Sequence, residues 1–296
     1  MEPLVLSSPA KVNLYLEILG KRADGFHQIE TLMALLGLAD EMRFELRERD
    51  VTLECDVPQV PLDETNLAVR AARLLQRRQA GRNRGVHIAI RKRIPIGGGM
   101  GGGSSNAATT LRALNELWEL NLSSSELHAL AAELGSDVPF FLGPNLAVCR
   151  GRGEIIEPLD FKQSNTWAGL GIVLINPGFG VSTSWAYGAY AARKDAAAQK
   201  PPGIPALLEA MKRSDLPGLA AQLFNSLQLP VFYKYPILQI FAQDLPQAGA
   251  AGSLMSGSGA TVFGLCRSMA QAEIVREKIA ARFGSSLWVV VTSFAA

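Results

Sequence analysis

Apolar residues alternate with polar ones in four segments of the N-terminal part of the chain, a period that predicts half-buried β-strands. The apolar members are Val12, Leu14 and Leu16; Met42, Phe44 and Leu46; Val51, Leu53 and Cys55; and Val86, Ile88 and Ile90. Alternation of this kind is typical of antiparallel sheets, because one face packs on a core and the other meets solvent. We therefore expect these strands to be antiparallel.

A helical period replaces the strand period in three places between these strands and residue 135. Asn66 opens the first helix, and the second is expected to begin near Ser104 or Ser105. The third carries a capping box, in which Ser123 and Glu126 satisfy each other's backbone N–H groups. Because strands and helices mix without strict alternation, the chain is expected to have an α+β fold.

The C-terminal half predicts a second α+β unit that starts near residue 160 and includes an exposed connection at Ala191–Pro205, which is rich in Ala, Lys, Gln and Pro. Its expected elements are a strand at Thr261–Cys266, a helix at Ala272–Phe283 and a strand at Leu287–Val291. The sequence thus predicts two domains, over residues 1–160 and 161–296.

Composition excludes several classes of function. The 296 residues are 48% hydrophobic, which is enough for large cores, and the net charge of +2 indicates neither a nucleic-acid surface nor a polybasic membrane anchor. The three cysteines are widely spaced, and the three histidines lack a zinc-binding spacing. We see neither a signal peptide nor a membrane span, so the expected location is cytoplasmic.

A glycine-rich loop, Pro95–Asn106, lies between a predicted strand and a predicted helix. Its glycines let the backbone come close to a ligand, and its N–H groups can converge on an anion at the helix N-terminus. A plain linker would not need so many glycines. The loop therefore predicts a phosphate site, in which Ser104 and Ser105 contact phosphate or Mg²⁺ or simply cap the helix.

Two better-known phosphate motifs fit this loop poorly. Gly97, Gly99 and Gly102 have the spacing of a dinucleotide-binding loop, but the preceding strand alternates and the motif lies far into the chain. A Walker A loop would end in Gly-Lys-Ser or Gly-Lys-Thr, which this run lacks. The remaining interpretation is that the loop binds a nucleoside triphosphate mostly through backbone amides.

Other polar residues could complete such a site. The alternation places Lys11, Asn13 and Tyr15 on one strand face, which is either functional or simply solvated. Asp137 follows the third helix, where it could accept a proton from a hydroxyl or cap a short helix. The cluster Ser256–Gly259 could bind an anion or form a tight turn. Together these features favour phosphoryl transfer.

With these motifs the chain resembles the GHMP small-molecule kinases. Pro9–Leu14, Pro95–Asn106 and Met255–Thr261 are similar to the three motifs of that superfamily, in the same order. The resemblance implies a two-domain α+β GHMP kinase fold, with an N-terminal domain like domain 2 of ribosomal protein S5 and a ferredoxin-like C-terminal domain. Segments such as Arg22–His27 and Gly135–Phe140 resemble the branch that acts on cytidine-diphosphate-linked methylerythritol in isoprenoid synthesis.

The resemblance also implies catalytic and cofactor-binding roles. Asp137 would take the proton of the 2-hydroxyl, and Lys11 would orient Asp137 and offset charge on the transferring phosphoryl group. ATP would be the phosphate donor and Mg²⁺ the metal, with Ser105 as its candidate ligand. The ATP-binding residues would be Asn66, Pro95, Gly97, Gly98, Gly99, Met100, Gly101, Gly102, Gly103, Ser104, Ser105 and Asn106.

For the alcohol substrate, the resemblance implies contacts from Asn13 and from Ser256 and Gly257. His27 would read the cytosine edge, and Phe26 and Tyr187 would stack on the two faces of the base. Phe26 replaces a tyrosine of the family, and Trp185 is an alternative to Tyr187.

The implied partner is this small molecule, with no nucleic acid and no membrane, and the enzyme would be a monomer or a homodimer. Alternatives are a GHMP kinase for another small alcohol, and a non-catalytic ATP-binding regulator on the same fold.

Overall fold

The structure, a computed structural model, describes residues 2–78, 84–159, 169–193 and 203–295. The chain forms two compact units that are discontinuous in sequence. Unit one contains Met1–Ala10, Leu38–Ile96 and Gly101–Pro144; unit two contains Lys11–Gly37, Gly97–Met100 and Asn145–Ala296. The long strands β1 (Leu4–Lys21) and β2 (His27–Arg47) contribute residues to both units.

Two predictions about organisation fall on residues outside the described ranges. The expected domain boundary at residue 160 is one, and it remains a prediction. The other is the exposed connection at Ala191–Pro205, of which residues 194–202 are not described.

In its described residues, unit one combines strands with three helices and a short 3-10 helix. Unit one begins with the start of β1 and the C-terminal part of β2. The elements that follow are β3 (Val51–Cys55), α1 (Leu67–Gln76), β4 (Gly85–Arg91), α2 (Gly102–Leu117), α3 (Ser124–Leu134) and the 3-10 helix Pro139–Leu142. Strand β2 pairs with β4 in antiparallel fashion, with Met42 opposite Ile90. Strand β3 pairs with β4 in parallel, with Leu53 opposite Ile88.

The expectation of antiparallel strands was therefore wrong for β3 and β4. Two parallel neighbours need a crossover connection, since a tight hairpin reverses the chain direction. Helix α1 lies in the connection between these two strands and provides that crossover. Sequence alternation alone does not report this difference, because a strand has the same period in either direction.

The core of unit one lies where α1 contacts α2. Small residues, among them Ala71 and Ala108, are fully buried on these helices and allow a close approach. Asn66 is the N-cap of α1, and the predicted Ser123–Glu126 capping box is present at the start of α3. Both helix starts were thus confirmed by the structure.

Unit two contains a four-stranded antiparallel sheet, in the order β11-β7-β10-β9, together with shorter strands and six helices in the described part of the chain. The strands are β5 (Leu146–Gly151), β6 (Ile155–Pro158), β7 (Gly171–Asn176), β8 (Phe224–Asn225), β9 (Gly252–Met255), β10 (Val262–Cys266) and β11 (Trp288–Ser293). The helices are α4 (Thr183–Ala191), α5 (Ile204–Lys212), α6 (Leu216–Ala221), α7 (Gln228–Lys234), α8 (Pro236–Ala248) and α9 (Met269–Phe283). The strand, helix and strand predicted for the C-terminal region are confirmed as β10, α9 and β11.

The three cysteines are thiols in different surroundings. Cys149 and Cys266 are buried in unit two, and Cys55 is half-buried in unit one. Burial disfavours the charged thiolate and raises the pKa of Cys266 to about 11. At neutral pH Cys266 is therefore a protonated, apolar core residue. Among the described residues, no helix has the length and apolar character needed to cross a membrane.

Candidate active site

The first half of the glycine loop is held in unit two through its carbonyl groups. The carbonyl of Gly97 accepts from the N–H of Val181 (3.4 Å), that of Gly98 from the N–H of Thr261 (3.1 Å), and that of Met100 from the N–H of Lys11 (3.0 Å). The Gly99 carbonyl accepts from Ser256 Oγ and from Lys11 Nζ, both at 2.9 Å. In a trans peptide the next N–H points opposite to the carbonyl. Each N–H that follows one of these carbonyls therefore points away from the hydrogen-bond partner of that carbonyl.

Gly99 is the loop position where glycine is required most strictly. Its φ of +76° lies in the left-handed region. A Cβ built there would overlap the carbonyl oxygen of Ser256 and would lie 3.0 Å from the backbone nitrogen of Gly259. The loop packs backbone against backbone at this point, so a larger residue does not fit.

The second half of the loop begins helix α2 in unit one. The N-cap is Gly101, which has a φ of +71° and no capping side chain. The helix begins at Gly102, two to three residues before the start predicted near Ser104 or Ser105. Both serines lie inside the first turns, so the alternative in which they cap the helix was wrong. A glycine at the N-cap leaves the end of the helix open, and the uncapped N–H groups of a first turn attract an anion.

Two amide side chains predicted to hold ATP make contacts within unit one. Asn66 caps α1 through a bond from the N–H of Ala68 (2.9 Å) and donates to the carbonyl of Pro61 (2.8 Å). Asn106 is buried and donates to Ser8 Oγ (2.9 Å) and Asp40 Oδ2 (3.0 Å). Asn66 therefore fixes the start of α1, and Asn106 joins the start of α2 to the side chains of Ser8 and Asp40. Their contact with ATP remains a prediction.

Lys11 and Asn13 lie in the interior of unit two, so the alternative of a solvated strand face was wrong. They are 3% and 2% exposed. Lys11 Nζ donates to Asn13 Oδ1 (2.5 Å), and Asn13 Nδ2 donates to Thr31 Oγ1 (2.8 Å). A buried ammonium needs such partners, because desolvation penalises an unpaired charge. Here they place its positive charge directly beside the Gly99 carbonyl.

The second glycine cluster packs on this lysine. Ser256–Gly259 joins β9 to β10 in a turn, which the N–H of Gly259 closes by donating to the Ser256 carbonyl at 2.9 Å. A Cβ at Gly257 would lie 3.3 Å from Lys11 Nζ and 3.4 Å from Asn13 Oδ1. Unit two therefore brings together Lys11, Asn13, Gly99 and the turn, although they are far apart in sequence.

Asp137 lies in unit one, in the turn between α3 and the 3-10 helix, and is half-buried. The alternative in which Asp137 caps that helix was wrong, because the N-cap is Val138. The turn is bounded by the C-terminal end of α3 and by Pro139, which limit the conformations of the backbone. Asp137 therefore stands on a well-defined part of unit one.

The residues predicted to bind the base all lie in unit two, where His27 and Tyr187 contact each other. The rings of His27 and Tyr187 are stacked, with centroids 5.1 Å apart. Phe26 is 51% exposed, and the guanidinium of Arg152 lies 4.8 Å from its ring centroid. Trp185 instead contacts Lys234, whose Nζ is 4.0 Å from the indole ring. Tyr187, rather than Trp185, is thus the aromatic partner of His27.

Sequence reasoning missed several residues that support these groups. Thr31 holds Asn13, and Asn225 Nδ2 donates to the carbonyls of Met255 (2.7 Å) and Gly257 (2.8 Å). Asp40 and Lys92 form a buried ion pair in unit one. Thr31 and Asp40 flank the apolar run 32–39 of β2. A polar residue at either end of a long apolar run is the signal that could have found them.

Family models agree with this arrangement of motifs. The model for the GHMP kinases N terminal domain matches residues 66–143, and the model for the GHMP kinases C terminal region matches residues 207–285. The first match contains the glycine loop and Asp137, and the second contains the Ser256–Gly259 turn.

Full-length relatives carry a more specific name. A 4-diphosphocytidyl-2-C-methyl-D-erythritol kinase from Synechococcus sp. strain JA-3-3Ab is 42% identical, and the match covers 100% of this chain and 95% of the relative. A kinase of the same name from Gloeobacter violaceus is 40% identical, over 99% of this chain and 95% of the relative.

Solved structures show the same fold. A crystal structure of 4-(cytidine 5'-diphospho)-2C-methyl-D-erythritol kinase has a TM-score of 0.78 and 37% identity, and the match covers 98% of this chain and 99% of that chain. A homoserine kinase from Cytophaga hutchinsonii has a TM-score of 0.74 at 19% identity, covering 99% and 95%. That second likeness is one of fold alone.

The chain therefore belongs to the GHMP kinases. Within that superfamily, the relatives that match it over its full length are 4-diphosphocytidyl-2-C-methyl-D-erythritol kinases. The predicted α+β GHMP kinase fold and the predicted kinase class are both confirmed. A kinase is therefore favoured over a non-catalytic regulator on the same fold.

Proposed function

We propose that this kinase phosphorylates the 2-hydroxyl of 4-diphosphocytidyl-2-C-methyl-D-erythritol with ATP, in the non-mevalonate route to isoprenoid precursors. The observation that carries the proposal is the glycine loop, whose carbonyls from Gly97 to Met100 are all bonded within unit two. A loop whose carbonyls are occupied in this way presents N–H groups to a ligand, which suits a polyphosphate. The names of the full-length relatives support the identity of the alcohol.

Bound ATP supplies the phosphoryl group, and the chain supplies position, charge and a proton acceptor. Asp137 takes the proton from the 2-hydroxyl, as a general base does. Lys11 orients Asp137 and offsets the negative charge that develops during transfer. The burial of Lys11 supports this role, because a charge out of water acts more strongly on its surroundings.

The glycine loop fits a triphosphate better than the side chains fit a metal. The uncapped first turn of α2 and the backbone N–H groups of the loop suit phosphate oxygens. Among the described residues, no group of three or more His, Cys, Asp or Glu side chains could hold a metal ion. The Ser105 hydroxyl is fully buried and accepts a bond from Ser8 Oγ at 2.8 Å. We therefore derive no step through Mg²⁺, and Ser105 as its ligand stays a prediction.

The cytosine site is proposed to use Phe26, His27 and Tyr187. We expect Tyr187→Ala to raise the KM for the cytidylyl alcohol about tenfold, since a base–aromatic stack is worth about 1–3 kcal/mol. The KM for ATP should not change. Trp185→Ala is the matched control, because Trp185 lies on the same helix but contacts Lys234. A larger effect from Trp185→Ala would assign the stacking role to Trp185. Initial rates at varied concentrations of each substrate measure both constants.

The pH dependence of the KM for the cytidylyl alcohol should report the protonation of His27. Desolvation and the nearby positive charge of Lys21 lower the pKa of His27 below its ordinary value of about 6.5. The imidazole is therefore neutral at pH 7 and remains so at a lower pH than an ordinary histidine. If neutral His27 reads the base, the KM for the cytidylyl alcohol should stay constant down to about pH 6.5 and rise only below it. His27→Gln should remove this rise, and an unchanged profile in that variant would assign the titration to another group.

One assay tests the proposed reaction as a whole. ADP release is measured with 4-diphosphocytidyl-2-C-methyl-D-erythritol and, in parallel, with mevalonate, galactose and homoserine. We expect release with the cytidylyl alcohol alone. Release with one of the other alcohols would redirect the proposal to another GHMP kinase activity, and release with none would reject the proposed reaction.

A further inference from the structure

A single buried carboxylate binds residues at both ends of the glycine loop. That carboxylate belongs to Asp40, which lies in the unit-one part of β2 and is 1% exposed. Asp40 Oδ1 accepts from the backbone N–H groups of Arg93 (2.8 Å) and Ile94 (2.9 Å), just before the loop. Asp40 Oδ2 accepts from Nδ2 of Asn106 (3.0 Å), the last residue of the loop, and pairs with Lys92.

From this geometry we infer that Asp40 is a positioning residue for ATP, because it fixes the distance between the two ends of the phosphate loop. The inference rests on the proposed use of the loop. Asp40 has no proposed contact with either substrate. It acts through the backbone of residues 93–94 and through the side chain of Asn106. We call this set, Asp40 with Lys92, Arg93, Ile94 and Asn106, the Asp40 clamp.

The Asp40 clamp also reaches the start of α2 by a second route. Asn106 Nδ2 donates to Ser8 Oγ at 2.9 Å, and Ser8 Oγ donates to Ser105 Oγ at 2.8 Å. Ser105 and Asn106 lie in the first turns of α2 and follow the helix end that is proposed to meet phosphate. The orientation of that helix end therefore depends on a connected chain of buried hydrogen bonds.

The carboxylate is required because all four of its partners are donors. An asparagine at position 40 would have one acceptor oxygen and one NH₂ group, and the NH₂ group would face donors whichever way the amide turned. Asp40→Asn therefore loses two of the four bonds and the charge that pairs with Lys92. The shape of the side chain hardly changes, so the variant tests the bonds rather than the packing.

We expect Asp40→Asn to weaken binding of a non-hydrolysable ATP analogue about tenfold, the size of effect that follows from losing bonds to a charged group. Titration calorimetry measures this affinity without turnover. The KM for ATP should rise by a similar factor, while the KM for the cytidylyl alcohol should stay within about twofold. A residue that only stabilises the fold would not raise the KM for ATP and leave the KM for the cytidylyl alcohol unchanged.

Asp244→Asn is the matched control. Asp244 lies in α8 of unit two, is 4% exposed and pairs with Arg282, with Asp244 Oδ2 2.7 Å from Arg282 Nε. It is a buried aspartate in an ion pair, like Asp40, but its partner lies in α9 and not beside the loop. We expect Asp244→Asn to lower the melting temperature and leave the affinity for the analogue unchanged. If both variants lose stability and neither loses affinity, Asp40 is structural only and the inference is wrong.

Ser8→Ala provides a milder second variant. It removes the hydroxyl that connects Asn106 to Ser105 and leaves the Asp40–Lys92 pair in place. We expect a loss of analogue affinity of about two- to threefold with little change in melting temperature. The loss is smaller than for Asp40→Asn because the two bonds that Ser8 makes are neutral, and neutral hydrogen bonds contribute less than bonds to a charged group. If Asp40→Asn does not fold, Ser8→Ala decides, and wild-type affinity in Ser8→Ala would then overturn the inference.

These measurements separate the inference from the proposed reaction. Analogue binding needs no alcohol, so it tests the Asp40 clamp even if the enzyme acts on another substrate. A wild-type protein that binds the analogue but does not phosphorylate the cytidylyl alcohol would reject the proposed reaction and leave the role of Asp40 open to the same comparison of variants.

Discussion

Asp137→Asn should lower the turnover number by about 100-fold or more, since that is the contribution of a general base. Asparagine keeps the size and the polarity of the side chain but accepts a proton poorly. The affinity for an ATP analogue and the melting temperature should remain close to those of the wild type. Single-turnover measurements with saturating ATP and cytidylyl alcohol isolate the chemical step and therefore report the change directly.

A second aspartate in unit one gives the control for Asp137. Asp63 also lies in an irregular segment, where its carboxylate accepts from the N–H of Thr65 at 2.9 Å. Asp63→Asn should therefore have nearly normal turnover. If Asp137→Asn also turned over at a nearly normal rate, Asp137 would not be the base, although the assignment of the chain to the GHMP kinases would stand.

Gly99→Ala should abolish measurable binding of the ATP analogue and destabilise the protein. The added Cβ would overlap the Ser256 carbonyl, and alanine disfavours the φ of +76° at this position. To relieve the overlap, the loop must move away from Ser256, which breaks the bonds that orient its carbonyls. We expect a loss of about 2–4 kcal/mol in the free energy of unfolding, as for other residues forced into a strained conformation. Urea unfolding and titration calorimetry measure the two effects.

Gly188→Ala is the matched substitution for Gly99→Ala. Gly188 lies within helix α4, and a Cβ there would meet nothing within 4 Å. Alanine should stabilise this helix by about 0.5–1 kcal/mol, because glycine has more backbone freedom to lose on folding. Wild-type analogue binding by Gly99→Ala would mean that the loop tolerates a shift and that its close packing on Ser256 is not needed.

Features that depend on neighbouring residues in the chain could be predicted from the sequence. The capping box at Ser123 and the glycine loop are both local patterns. The ordered motifs around Lys11, Asp137 and Ser256 were sufficient for the kinase class. In each case the chemistry is carried by short segments whose residues are constrained together, so spacing along the chain contains the information.

Features that depend on tertiary contacts could not be predicted in this way. The burial of Lys11 and Asn13 arises because Thr31, Gly99 and the Ser256–Gly259 turn pack around them, and those residues are distant in sequence. The parallel pairing of β3 with β4 is invisible to a period-two pattern. The contacts of Asp40 were missed for the same reason, since its four donors come from the segment that follows β4 and from α2.

The proposed binding of phosphate by backbone amides of the loop has a consequence for inhibitor design. A compound that occupies the proposed phosphate site would bind main-chain groups, which substitution of an exposed side chain cannot remove. A compound that depends on Phe26, which is 51% exposed, contacts a side chain that a single codon change can replace. We expect escape variants to arise more readily against the second kind of compound, and a resistance selection with one compound of each kind would show the difference.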